Sequence, residues 1–221
     1  MVTKAMILAS GRGERMMPLT RDLPKPMLKI GNVTLIEDKI IKLSEIGIQE
    51  IVINTGYLGE YIRDHVGDGS KFGIRITLSD EGNQPIGTAE GVRKTLDYFD
   101  GQNFILVNAD IWTNYSFIDL KRYDLKKSLG HIILTKKPDY QNGDFDLSNN
   151  LLETGNTYTY TGIGLYSPEL FVRYKDKELG IILKKEKSIT ADIYSGMWDD
   201  IGTPERLKNA RNEISLWSVD Y

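Results

Sequence analysis

The stretch from Ala5 to Leu28, AMILASGRGERMMPLTRDLPKPML, constrains the fold most, because it runs an apolar segment straight into a glycine loop and then into basic residues set among prolines. Met6, Ile7, Leu8 and Ala9 follow one another with no polar residue between them, the pattern of a strand buried on both faces of a parallel sheet. Ser10, Gly11, Arg12 and Gly13 break that run. Glycines let a backbone approach an anion closely and turn its N–H groups toward it. Arg15 offers a planar fork that grips two phosphate oxygens at once, and Lys25 adds a compact point charge. Pro18, Pro24 and Pro26 stiffen the segment between and around them. Strand, glycine turn and cations in this order read as a phosphate cradle. It is neither of two common ones: Met16 stands where a dinucleotide fingerprint needs its third glycine, and no Gly-Lys-Ser/Thr ending follows.

The chain beyond it alternates strand and helix patterns. Thr34-Leu-Ile-Glu37 has capping-box spacing, and Ile36, Ile40, Leu43 and Ile46 recur at helical intervals until Gly47 offers a stop. Glu50 to Ile53 reads as a second buried strand, Leu58, Ile62 and Val66 as a short helix, and Ile74 to Leu78 as a third strand. Thr88 is placed to cap a helix whose core face is Ala89, Val92, Leu96 and Phe99. Phe104 to Val107 is the clearest buried strand, and Asn108-Ala-Asp110 stands just past its carboxyl end. Such alternation predicts an α/β fold with a doubly wound, mostly parallel sheet. Ligands of such sheets bind outside the carboxyl ends of the strands, so Asp110 and the glycine loop share one edge. A carboxylate facing a triphosphate there is repelled by roughly 4 kcal/mol per charge pair at about 4 Å, with an effective dielectric near 20. A divalent cation reverses that sign, and Mg²⁺ suits an all-oxygen set of carboxylate, phosphate and water.

Other features narrow the function by exclusion. A net charge of −3 over 221 residues leaves no basic footprint for nucleic acid, so any nucleotide bound is a small molecule. With no cysteine there are no disulfides or thiolate metal sites, which agrees with a reducing cytoplasm. Apolar runs such as Phe104–Val107 are too short to span a bilayer and the N-terminus lacks a signal-peptide core, so a soluble, cytoplasmic protein with no membrane partner is expected. Lys121-Arg122 and Lys126-Lys127 fall on an expected helix from Phe117 to Leu129 and read as a solvated face. His65 and His131 have no nucleophile placed beside them by any motif and read as structural, which leaves a triad hydrolase unsupported.

The composite run from Leu8 to Arg15, then Pro18-Leu-Thr20, then Pro24-Lys25-Pro26 resembles the signature of the sugar-1-phosphate nucleotidyltransferases, with Ser10 where that family carries Ala or Gly. Pro85-Ile-Gly-Thr-Ala89 is similar to the family's base-side element, although Glu90 replaces a small residue. Trp198-Asp-Asp-Ile-Gly-Thr203 is similar to its Trp-x-Asp-x-Gly-Thr element. The resemblance implies a Rossmann-like, three-layer nucleotidyltransferase (GT-A-like) fold over a single domain, 1–221. Its nucleotide part would run to about 115, its sugar part over about 116–203, and its closing helix over 203–216 through Leu207, Ala210, Arg211 and Ile214. It implies a nucleoside triphosphate and a sugar 1-phosphate as substrates, with Mg²⁺ as cofactor. Leu8, Ala9, Gly11, Gly13, Glu14, Arg15 and Lys25 would then hold the triphosphate, and Gln84, Gly87 and Thr88 the base. Asn108, Asp144, Glu153, Thr161 and Gly162 would hold the sugar. Arg15, Lys25 and Asp110 would form the catalytic set, with Asp110 and Asp200 as metal ligands. Asp199 is the alternate ligand, since a strand points neighbours in opposite directions.

Glu153-Thr154-Gly155 occupies the place of the family's Glu-Lys-Pro, so the sugar phosphate is expected to meet Lys136 or Lys137, or else the metal and Arg15. Within the family the base stays open. Gly67–Gly73, Val107–Tyr115 and Gly143–Phe145 resemble the uridylyl branch, while Pro85–Ala89 favours a guanylyl one. Two other classes compete: a non-catalytic nucleotide-binding domain, and a glycosyltransferase consuming a nucleotide sugar. The glycine loop and Lys25 favour triphosphate use over both.

Overall fold

The computed structural model describes residues 1–140 and 142–217, without the side chains from Ile214 onward; Gln141 of the sugar-side loop and the expected helix contact of Ile214 lie outside the described residues. In chain order, β1 (Lys4–Leu8) leads through the glycine loop to the hairpin β2 (Lys29–Ile30) and β3 (Val33–Thr34). There follow α1 (Leu35–Glu45), β4 (Glu50–Thr55), α2 (Gly59–Val66), β5 (Arg75–Asp80), α3 (Thr88–Arg93), β6 (Phe104–Asn108), β7 (Ile111–Thr113) and α4 (Ile118–Arg122). The second half holds β8 (Gly130–Lys136), β9 (Phe145–Ser148), β10 (Leu151–Thr154), β11 (Tyr158–Tyr166), α5 (Pro168–Arg173), α6 (Leu179–Lys185), β12 (Thr190–Tyr194), β13 (Trp198–Asp200) and α7 (Pro204–Trp217).

Nine strands form one sheet in the order β5-β4-β1-β6-β11-β8-β12-β10-β9. Strands β5, β4, β1 and β6 are all parallel. Antiparallel pairing enters where β11 joins β6 and β8, while β12 pairs parallel with β8, so the second half of the sheet is mixed. The chain leaves β1 toward β4 on one side and reaches β6 on the other. That reversal opens a crevice at the carboxyl ends of β1 and β6.

Strand alternation divides the core into two layers. Ala5, Ile7, Ile51, Ile53, Ile105 and Val107 face one way, onto Ile36, Ile40 and Leu43 of α1 and Ile62 and Val66 of α2. Met6, Val52 and Leu106 face the other way, onto α3, α5 and α6. Both faces are covered, which is why these strands read as continuous apolar runs. A third cluster joins Met16 of the glycine loop and Leu28 to Ile201, Leu207 and Ala210, fastening α7 beside the crevice.

The capping box of α1 is present, with Thr34 and Glu37 each bonding the other's backbone N–H. Two helices are shorter than their apolar spacing predicts. α3 stops at Arg93, where the Thr95 hydroxyl donates to the Val92 carbonyl (2.9 Å) and competes with the helical ladder; Leu96–Phe99 continue as a 3₁₀ turn. The expected helix from Phe117 to Leu129 ends at Arg122, because the Asp124 carboxylate accepts the Lys126 N–H (3.0 Å) in a local turn and Lys126 takes a left-handed φ of 52°. Thr88 does not cap its own helix α3. Gly87 precedes α3, and the Thr88 hydroxyl instead donates to Glu178 (3.1 Å) and accepts the Leu179 N–H (2.8 Å). His131 is a buried core residue, stacked on Tyr123 and bonded to Thr190 Oγ1 (2.8 Å). Burial lowers its pKa, against the opposing pull of Asp192.

Lys39 is a fully buried ammonium on α1, paired with Asp38, whose other carboxylate oxygen meets Lys42 at 2.8 Å. Burial pulls the Lys39 pKa down to about 8, with Asp38 resisting. An unfolded lysine titrates near about 10.4, so from about pH 8 to pH 10 the unfolded chain binds more protons than the folded one. Stability should therefore rise with pH across that window, and Lys39→Met should remove the rise. Urea midpoints of both proteins at about pH 7.5 and pH 10 check this; parallel slopes would refute it.

Candidate active site

The crevice between β1 and β6 opens into a cleft of about 550 Å³, lined by the loop Ala9–Met16 together with Lys25, Asn54, Pro85, Gly87, Thr88, Asn108 and Asp110. Gly13 turns the loop at φ 64°, and a Cβ there would stand 3.1 Å from Lys25 Cβ and 3.2 Å from Thr20 Cγ2. The bare backbone is thus what lets the Lys25 stem pack under the loop. The Thr20 hydroxyl fixes this turn by donating to the Gly13 carbonyl (2.8 Å). Lys25 is 7% exposed, and its Nζ lies 2.6 Å from Asp110 Oδ2. Arg15 sits exposed on the 3₁₀ turn Glu14–Met16, anchored by the fully buried Met16. Its guanidinium reaches toward Gly202, where an added Cβ would lie 3.3 Å from Arg15 Nη2.

Asn54 escaped the motif reading although it holds this loop together. It is 2% exposed at the carboxyl end of β4, accepts the Ala9 N–H (2.7 Å) and donates to Ser10 Oγ (3.1 Å) and Glu81 Oε1 (2.8 Å). A polar residue ending a buried parallel strand on the ligand edge is the signal that would have found it.

A smaller cleft of about 220 Å³ adjoins the first and shares Asn108 and Asp110 with it. Gly162, at φ 78° within the irregular stretch of β11, lets the Asn108 amide close onto the backbone: a Cβ there would meet Asn108 Nδ2 at 2.7 Å. Asp144 lines this cleft with its Oδ2 accepting the Tyr160 N–H (3.0 Å), and Asn142, a residue the sequence motifs did not mark, lines it too. Trp198 lines one wall, its indole N–H donating to the Thr161 carbonyl (2.9 Å). The pairing of β13 with β7 sets Asp200 opposite Ile111 and Asp199 opposite Trp112. Alternation then separates the two acids. Asp200 lines the small cleft, whereas Asp199 accepts a hydrogen bond from the Tyr140 hydroxyl (2.8 Å) and burial raises its pKa.

Most of the residues expected from sequence converge here: the glycine loop, Arg15, Lys25, Thr88, Asn108, Asp110, Asp144, Gly162 and Asp200 line the two clefts or their shared mouth. Three expectations fall outside the lining of both clefts. Gln84 is exposed and outside the lining of either cleft. Glu153 is exposed on β10, paired across the edge hairpin with Asp146, away from both. Thr161 lines the small cleft, as expected, with its hydroxyl donating to the Ile133 carbonyl (2.7 Å). Lys136 and Lys137 are exposed and line neither cleft, whereas Lys25 and Arg206 pair with Asp110 and Asp200 of the smaller one.

The donor set suits a hard cation. Among the described residues no group of three His, Asp or Glu forms a closed metal site. Two carboxylates facing one cleft are nevertheless what a magnesium ion completed by phosphate and water requires. Arg206 pairs with Asp200 Oδ1, so a cation at Asp200 would share that carboxylate with the guanidinium.

The chain matches the family described as Nucleotidyl transferase over residues 4–215. It is 36% identical to the N-acetylmuramate alpha-1-phosphate uridylyltransferase of Neisseria meningitidis, covering 97% of this chain and 99% of that one. It is 28% identical to a mannose-1-phosphate guanyltransferase of Neurospora crassa over 91% of this chain, and spans 61% of that longer relative. The crystal structure of HddC from Yersinia pseudotuberculosis complexed with GMP-PN superposes with a TM-score of 0.80 at 22% identity, covering 96% of this chain and 100% of that one. That likeness shares the three-layer α/β fold.

Proposed function

The chain belongs to the nucleotidyl transferase family, and from that premise we propose that it joins UTP to N-acetylmuramate α-1-phosphate, releasing UDP-N-acetylmuramate and pyrophosphate. What carries the choice of substrates is the 36% identity to a muramate uridylyltransferase over nearly the whole of both chains, where the guanylyl relative extends well beyond this one. A sugar-phosphate oxygen attacks the α-phosphorus, a new P–O bond forms, and the bond from the α-phosphorus to the bridging oxygen breaks, so that pyrophosphate departs with the electron pair. No covalent enzyme intermediate is needed, and catalysis rests on positioning and charge neutralisation.

The glycine loop and Arg15 bind the triphosphate in the larger cleft, while Lys25 neutralises charge growing on the leaving group. Asn108, Asn142 and Asp144 orient the sugar in the smaller one. Asp110 and Asp200 would hold Mg²⁺, which supplies charge neutralisation between the two phosphates. Lys25 pairs with Asp110, so a triphosphate in the larger cleft would share the ammonium with that carboxylate. UTP as a substrate supports a cytoplasmic reaction, and an N-acetylmuramate 1-phosphate acceptor supports a role in the reuse of peptidoglycan sugar.

A guanylyl reading has one specific observation behind it, the Pro85–Ala89 element. Pyrophosphate release with Mg²⁺ separates the two, crossing UTP, GTP, CTP and dTTP against the 1-phosphates of N-acetylmuramate, N-acetylglucosamine, mannose and heptose. Turnover confined to UTP with the muramate sugar is expected. Preference for GTP with mannose or heptose phosphate would replace this assignment, and silence throughout from folded protein would point to a binding domain.

A further inference from the structure

The sugar-side loop between β8 and β9 carries Asn142 and Asp144 into the small cleft. Its far end is held on β11, where the Asp144 N–H donates to the Tyr158 carbonyl (2.7 Å). Among the described residues, Tyr140 ties its middle to the neighbouring elements. The Tyr140 hydroxyl donates to Asp199 (2.8 Å), and its ring lies 3.9 Å from the Arg206 guanidinium carbon, a cation–π contact at stacking distance. Arg206, on the first turn of α7, donates Nη1 to the Asp200 carbonyl (3.0 Å) and pairs with the Asp200 carboxylate. Gly202 packs closely against this pair: a Cβ would stand 3.1 Å from Arg206 Nη1 and 3.2 Å from Asp200 Oδ1. One guanidinium therefore grips both ends of Asp200 and is itself roofed by the loop that shapes the sugar cleft.

We propose that Arg206 is a positioning residue for the Asp200 carboxylate, and that Tyr140 clamps it there, so that seating of the sugar-side loop and aiming of Asp200 occur together. This rests on the reading of Asp200 as a metal ligand and of the small cleft as the sugar site. It gives Asp199 a role that is not ligation: anchoring the clamp. Tyr140 is 52% exposed, which makes its substitution a mild one for the fold.

Four variants of the full chain test the inference: Tyr140→Phe, Tyr140→Leu, Arg206→Lys and Arg206→Met. Melting temperature, KM for each substrate, and Mn²⁺ affinity by electron paramagnetic resonance with a non-hydrolysable UTP analogue are measured. Partners that orient a metal ligand typically contribute 10–100-fold in metal affinity. Arg206→Met should weaken Mn²⁺ binding by about tenfold, with part recovered in Arg206→Lys. Tyr140→Leu should raise the KM for the sugar phosphate severalfold and leave that for UTP within about twofold, and Tyr140→Phe, which keeps the ring over Arg206, should fall between. A guanidinium that merely competes with the cation predicts tighter Mn²⁺ binding in Arg206→Met, and that result overturns the proposal. So do unchanged Mn²⁺ affinity and sugar KM in Arg206→Met and Tyr140→Leu. Should Arg206→Met fail to fold, Tyr140→Leu carries the test. If the substrate assignment is wrong, Mn²⁺ affinity measured with whichever triphosphate binds still reports on Arg206, whereas a wild-type protein that binds no Mn²⁺ removes the basis of the proposal.

Discussion

Replacing Lys25 with methionine is expected to lower kcat by about 10²–10³-fold, the usual consequence of losing one cation or donor aimed at developing charge, while the protein stays folded. The stem of Lys25 is buried beneath the Gly13 turn, and methionine fills nearly the same volume there, so the packing that shapes the loop survives. What disappears is the ammonium 2.6 Å from Asp110. Asp110 then loses its partner, but its side chain is 37% exposed and solvent screens much of that loss, so only a small change in melting temperature is expected. KM for the triphosphate should move far less than kcat, because Arg15 and the loop N–H groups still bind the ground state. Pyrophosphate release at saturating substrates, set beside circular dichroism and thermal melts, gives the answer. A variant with intact structure and turnover within about tenfold of the parent would remove Lys25 from the reaction.

The parts of this molecule that were legible in the sequence are those whose physics is local. The capping box at Thr34 and Glu37, the apolar runs of β1 and β6 and the opposite facing of Asp199 and Asp200 each follow from spacing within one element. The shared edge of the glycine loop and Asp110 followed from a rule about parallel sheets, and the strand order places the reversal between β1 and β6. Misreadings arose where a side chain outcompeted the periodic pattern: Asp124 and Thr95 each divert hydrogen bonds from a helix that apolar spacing would have extended. Glu153 and Gln84 lie outside both clefts for another reason, since motif position fixes a place along the chain but not the direction in which an edge hairpin or an exposed loop turns. Asn54, Asn142 and Arg206 carried no motif of their own. Asn54 and Arg206 reach the site through contacts with other elements and Asn142 by lining the small cleft, and such placements exist only once the sheet order and the position of α7 are known.

The second large effect concerns Asp110, the carboxylate that both clefts share. Asp110→Asn keeps the shape of the side chain and removes its charge, and on the proposed mechanism it should cost at least about 100-fold in kcat, the upper end of what partners merely supporting a metal ligand contribute. The more discriminating experiment combines it with the first. Residues in direct contact do not act independently, so the double variant Lys25→Met with Asp110→Asn should lose little beyond the worse single one. Independent sites would instead multiply to about 10⁴–10⁵-fold. Magnesium separates the two roles further. Raising its concentration should recover part of the activity of Asp110→Asn, whose remaining deficit is one of metal affinity, and none of that of Lys25→Met, whose ammonium a cation held by Asp110 and Asp200 does not replace. Multiplicative losses, or magnesium rescue of the Lys25 variant alone, would mean that the 2.6 Å contact between these side chains is a resting ion pair with no part in the reaction.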